Sequence, residues 1–97
     1  MKKWFRGSTP DLRFNIFDED GALVDPGTTI KLSIADSFDN DVVTDVTCTK
    51  LGTGDYTYRG WTVPATSVGG RYTWRPQTTD TAVVIENTEF EFEVMER

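Results

Sequence analysis

The chain contains no histidine. That removes the commonest general base and metal ligand, and with it the Ser-His-Asp and Cys-His nucleophile systems. The one cysteine, Cys48, has no partner for an internal disulfide. It falls on the apolar face of an expected strand beside no activating group, so it reads as a small buried hydrophobe. Gly52 and Gly54 open no helix and make neither a phosphate loop nor a dinucleotide fingerprint. The carboxylates remain. Asp18-Glu19-Asp20-Gly21 has the look of a calcium loop, but aligning Gly21 with the loop glycine puts Ile16 at the first ligand position and Gly27 at the bidentate one, which excludes an EF-hand. Asp36, Asp39 and Asp41 are close enough in sequence for an irregular calcium site, yet acidic loops are ordinarily just solvated. A chain this rich in acids offers carboxylate pairs by chance, so glycoside hydrolysis is not signalled. The expectation is a protein that is not an enzyme and needs no metal or cofactor.

Binding chemistry is better represented. Residues 1–10 form an arm in which Lys2, Lys3 and Arg6 flank Trp4 and Phe5. The arm is either an edge strand or frayed terminus, or a docking segment with its two aromatics as anchors. Lys2, Lys3, Trp4, Phe5 and Arg6 are therefore the candidate protein-contact residues. The arm is basic while the whole chain carries a net charge of -6, so head-to-tail attraction between copies is expected. The same acidity argues against a nucleic-acid partner. The alternative reading is a carbohydrate-binding module for host-surface glycans, with Trp61 or Trp4 as an exposed stacking platform. After Met1-Lys2-Lys3 the apolar run is only Trp4-Phe5, too short for a secretory signal, and no stretch approaches membrane-spanning length. Cytoplasmic synthesis and no membrane partner are expected.

The elements that carry these residues read as strands. Residues 51–75, with five of the twelve aromatics, organise the chain. Tyr56 and Tyr58 share one face of an extended segment, as do Trp61 and Val63, but the pairs are out of phase. A bulge near Gly60 would put all four on one buried face. Pro64 ends that strand, Gly69-Gly70 turns the chain back, and residues 71–75 alternate with Tyr72 and Trp74 inward. The two strands read as a hairpin.

Earlier in the chain, Leu12, Phe14 and Ile16 alternate inward. The stretches 18–21 and 25–27 are turns, and Ile30, Leu32 and Ile34 line the next strand. The polar loop 36–41 leads to a strand over 42–49 with Val42, Thr44, Val46 and Cys48 on one face. Residues 77–80 turn, and 81–85 form a short strand. The last strand sets Phe90, Phe92 and Val94 against Glu89, Glu91 and Glu93. Those glutamates match Arg71 and Arg75, so the two strands should be antiparallel neighbours. About seven short strands, turn signals roughly every 8 to 12 residues and no helical periodicity predict one all-β domain over 11–97, an antiparallel β-sandwich.

The motif order carries a resemblance. FRGSTPDLRFNIFDEDGALVDPGTTIKLSIAD, then GTGDYTYRGWTVP, GGRYTWRP and the closing EFEFEV, resemble small immunoglobulin-like domains in virion proteins of tailed phages and prophages. Pro26-Gly27 stands where such proteins often carry an apolar dipeptide. The resemblance implies an immunoglobulin-like sandwich acting as a virion structural protein. Its partners would be capsid, tail or baseplate proteins, or copies of itself in a symmetric assembly.

Overall fold

The computed structural model describes residues 2–27, 29–78, 83–86 and 90–95. All of its regular structure is β: β1 (Lys2–Phe5), β2 (Leu12–Asp18), β3 (Lys31–Ala35), β4 (Asp41–Thr47), β5 (Thr49–Gly52), β6 (Asp55–Tyr58), β7 (Gly70–Gln77), β8 (Val83–Glu86) and β9 (Glu91–Met95). They form a five-stranded sheet, β1-β9-β7-β3-β4, and a four-stranded sheet, β5-β6-β2-β8. Nine strands are described where about seven were expected. The difference comes from Thr49–Gly52 forming a strand of its own and from β1 joining the sheet.

Period-2 alternation fills the space between the sheets. Leu12, Phe14 and Ile16 from one sheet meet Leu32, Ile34, Tyr72, Trp74, Phe92 and Val94 from the other, each at most 4% exposed. Aromatic rings bridge the layers. Phe14 stacks on Tyr56 at 6.1 Å within its own sheet and meets Trp74 at 6.1 Å across the core. The outward glutamates and arginines do select neighbours. β7 and β9 pair antiparallel with Arg71 opposite Glu93, and Arg71 Nε lies 3.6 Å from Glu91 Oε2. Arg75 instead reaches Asp41 of β4, at 3.4 Å.

Three expectations are corrected. The stretch 51–75 is not a hairpin, because β6 lies in the four-stranded sheet and β7 in the five-stranded one. Tyr56 and Tyr72 face each other's layers rather than pairing side by side. Alternation fixes the face a residue points to and says nothing of which strand lies alongside. The tight hairpin is β5-β6, through Thr53-Gly54.

No bulge forms near Gly60, because the strand simply ends at Tyr58. A Cβ on Gly60 would fall 2.8 Å from the Tyr58 hydroxyl, so a side chain there would need that ring to move. Past it, Val63 exchanges backbone hydrogen bonds with the start of the chain, its N–H donating to Ser8 O and its O accepting from Gly7 N–H, both at 2.8 Å. Val63 is buried, and Trp61 is half-buried against Tyr72 and Phe92.

The phase of β4 also differs. Its register against β3 slips twice, so Val43 and Val46 pack on the core while Val42 is left exposed. The second slip carries Asp45 in the left-handed region (φ 49°), its N–H bonded to Ser33 Oγ. One parallel pair, β1 beside β9, interrupts the antiparallel pattern. Cys48 is buried as expected, just after β4. Of the expected turn 77–80, Gln77 ends β7, while Thr79 and Asp80 lie outside the described residues, as do Thr28, Thr81, Asn87, Thr88 and Glu89.

Candidate functional site

The candidate contact residues sit on β1, at one edge of the five-stranded sheet. Lys2 opposes Phe92 and Phe5 opposes Met95. Trp4, opposite the buried Val94, turns inward and is half-buried against the core. It therefore fastens the strand to its own domain and is not a free anchor. Phe5 is 43% exposed, and Lys2 and Lys3 are exposed. Arg6 donates from Nε to Ser67 O at 2.8 Å, which ties the end of β1 to the segment before β7. Thus the structure brings the five residues together and divides them. Trp4 and Arg6 hold the strand, Lys3 and Phe5 face outward, and Lys2, on the Trp4 side of the strand, is exposed at its start.

The opposite edge is β4 and the turn before it. Asp36 Oδ1 accepts from the N–H groups of Phe38 and Asn40, both at 2.9 Å, which shapes the turn. Phe38 is 71% exposed on it and Asp39 takes φ 64°. Among the described residues no three acidic or cysteine side chains gather as a metal-binding group. Asp36 is committed to backbone donors and Asp41 to Arg75. Burial pushes the Cys48 thiol up to about 11, so at neutral pH it is protonated and a poor nucleophile.

The outer faces differ. On the five-stranded sheet Lys3, Glu93 and Arg71 stand side by side, a row of alternating charge. Such exposed pairs contribute about 0 to 1 kcal/mol each and keep the face solvated. The four-stranded sheet carries the Arg13–Asp55 fork, at 3.0 and 2.6 Å, and an apolar row in which Leu23 and Val84 flank Phe17.

One cluster had no signal in the sequence. Asp25, legible only as part of a turn, accepts from Lys50 Nζ at 2.5 Å, Gly54 N–H at 2.9 Å and Tyr56 Oη at 3.2 Å. It ties the 25–27 turn to the β5-β6 hairpin. The Lys50 hydrogen bond, then the Gly54 N–H, holds the Asp25 carboxyl below the usual carboxylate range, and the same contact raises Lys50. The pair is therefore ionic, a fixed clasp without a proton to transfer. Asp55 is lowered likewise by Arg13. A carboxylate whose pKa is depressed by folding stabilises the fold above its ordinary value of 3.8, and that contribution is lost as the pH falls through the folded value. Acid unfolding should set in as the pH falls below about 4, and Asp25→Asn should flatten the loss of stability below that point. Urea melts across that range check this; an unchanged slope would remove Asp25 from the account.

No family model, no curated protein and no solved structure matches this chain. What the described residues assemble is a set of surfaces: two sheet edges of opposite charge, one charged face and one partly apolar face. Trp4 and Trp61, the two rings a sugar platform would use, are both half-buried against the core.

Proposed function

We propose that the chain is an immunoglobulin-like module that serves as a non-enzymatic structural component of a phage or prophage particle, attached by protein contacts. The observation that carries the fold reading is strand order. In immunoglobulin domains one sheet holds strands D, E, B and A, and the other holds G, F and C, extended by C′ in the variable type. Here β5, β6 and β2 take the places of D, E and B, and β9, β7, β3 and β4 those of G, F, C and C′. The departure is β8, which occupies the edge position of A although it comes from the connection between F and G.

Two further features support this reading. Immunoglobulin domains place a tyrosine near the start of strand F whose hydroxyl bonds back to upstream backbone, two residues before the cysteine that bridges to strand B. Tyr72, third in β7, donates from its hydroxyl to Val68 O at 2.7 Å. Two residues on, Trp74 packs against Phe14 of β2, so an aromatic contact spans the layers where the disulfide would lie. An aromatic bridge needs no oxidation, which suits assembly in a cytoplasm.

A fold carries no function by itself. The particle role is supported by the likeness of the N-terminal, central and closing motifs to virion domains, and by two sheet edges that combine charge with exposed apolar side chains. Mass spectrometry of particles purified after prophage induction is the test. The expected result is this chain at a fixed ratio to the major capsid or tail protein. Its absence from particles while present in the lysate overturns the proposal.

A further inference from the structure

We infer that copies of this chain bind one another head to tail, the basic β1 edge of one against the acidic β4 edge of the next. This goes beyond the particle role and stands or falls separately from it. Residues 2–6 carry Lys2, Lys3 and Arg6 and no acid. Residues 36–47, the turn and β4, carry Asp36, Asp39, Asp41 and Asp45 and no Lys or Arg, and Arg75 of β7 reaches only Asp41, at 3.4 Å. The two stretches occupy the two ends of the strand order β1-β9-β7-β3-β4. Four steps of about 4.8 Å separate them by roughly 19 Å, the width of a molecule measuring 43 × 20 × 20 Å. Opposite edges so far apart engage two neighbours at once.

Strand direction fits the same arrangement. β9 runs parallel to β1, and each of the pairs β9-β7, β7-β3 and β3-β4 is antiparallel. β4 therefore runs opposite to β1. A copy displaced sideways runs its β1 opposite in direction to the first copy's β4, alongside the turn 36–41 that leads into it.

Level along the strands fits as well. Asp41 is level with Ala35, Thr73 and Glu91 across the sheet, and Lys2 is level with Phe92, one residue along. At the other end Trp4 is level with Val94 and Gly70, and Gly69 O accepts a hydrogen bond from Ser37 Oγ of the acidic turn at 2.9 Å. Sideways displacement thus sets Lys2 and Lys3 beside Asp41 and Asp39, with Phe5 toward Phe38. The irregular stretch around Asp45 lies outside the contact. Phe5, Phe38 and Val42 are among the exposed large hydrophobics, and all three sit on these two edges, so each edge combines charge with an apolar contact.

The two-fold alternatives set like charges together. β1 against β1 brings Lys2 and Lys3 of both copies within one short strand, and β4 against β4 does the same for its aspartates. The contact is therefore heterologous, of the kind that makes rings or filaments.

Sedimentation velocity on the full chain, from micromolar to millimolar at about 0.1 M salt, tests this. Screening over ~10 Å at that salt damps repulsion between acidic bodies but leaves contact pairs intact. The expected result is a mass that rises past two chains with concentration and falls in 1 M salt. Lys2→Glu/Lys3→Glu and Asp39→Lys/Asp41→Lys should each associate at least about tenfold more weakly alone. An equimolar mixture of the two should regain association, which misfolded variants cannot do. A monomer throughout, a mass that stops at two chains, or variants that associate like the parent would each overturn the inference.

Discussion

Replacing Phe14 by alanine should destabilise the domain by about 3 to 5 kcal/mol, a large part of the roughly 5 to 15 kcal/mol that holds a domain folded. Phe14 is 1% exposed and joins both layers, stacked on Tyr56 and meeting Trp74 across the core. Truncation removes its apolar burial and leaves a cavity bounded by rigid rings, which collapse poorly around it. Urea denaturation should show a much lower midpoint with an unchanged slope. Phe38→Ala is the internal comparison. At 71% exposed, Phe38 should shift stability by no more than about 0.5 kcal/mol. A Phe14→Ala loss under about 1 kcal/mol would mean that the two layers are not held together at this ring.

Gly54→Ala should be the next most damaging single change, at about 2 to 5 kcal/mol from a strained left-handed residue plus overpacking. Gly54 has φ 67°, and an added Cβ would lie 2.7 Å from Ile16 O and 2.9 Å from Val24 N. Both are backbone atoms at a point where Ile16 N–H donates to Gly54 O and Val24 N–H donates to Ile16 O, so neither can yield without breaking a bond. Gly21→Ala separates the two causes. Gly21 has φ 86° with open space around its Cβ position, so only the conformational cost, about 1 to 2 kcal/mol, should appear. Equal losses at the two sites in parallel thermal melts would show that the close approach contributes nothing.

The residues that made the fold legible are those whose pattern needs no partner to interpret. Leu12, Phe14 and Ile16 alternate against Arg13 and Asn15, and that alone puts β2 on a core. Pairing was legible only where the outward face also carried information, as with Arg71 and the glutamates of β9. The route from Tyr58 to Gly70 carried none, since a strand across the core and a strand alongside present the same inward tyrosine. The slips in β4 were hidden because no glycine marks them: Asp45 adopts the left-handed conformation instead. Asp25 was hidden for another reason. Its partners at positions 50, 54 and 56 belong to a hairpin that reaches it only in the folded chain. The basic edge could be named from the residues themselves. Its acidic counterpart becomes an edge only once the strand order is known.

The parallel pairing of β1 with β9 has a mechanical consequence. Because the two strands point the same way, a pull on the chain before β1 and after β9 draws them past each other lengthwise. All four of their residue pairs then bear the load together, whereas an antiparallel pair pulled from one end unzips bond by bond. Tension applied through the two ends of the domain thus loads this seam in shear, with Trp4 wedged behind it.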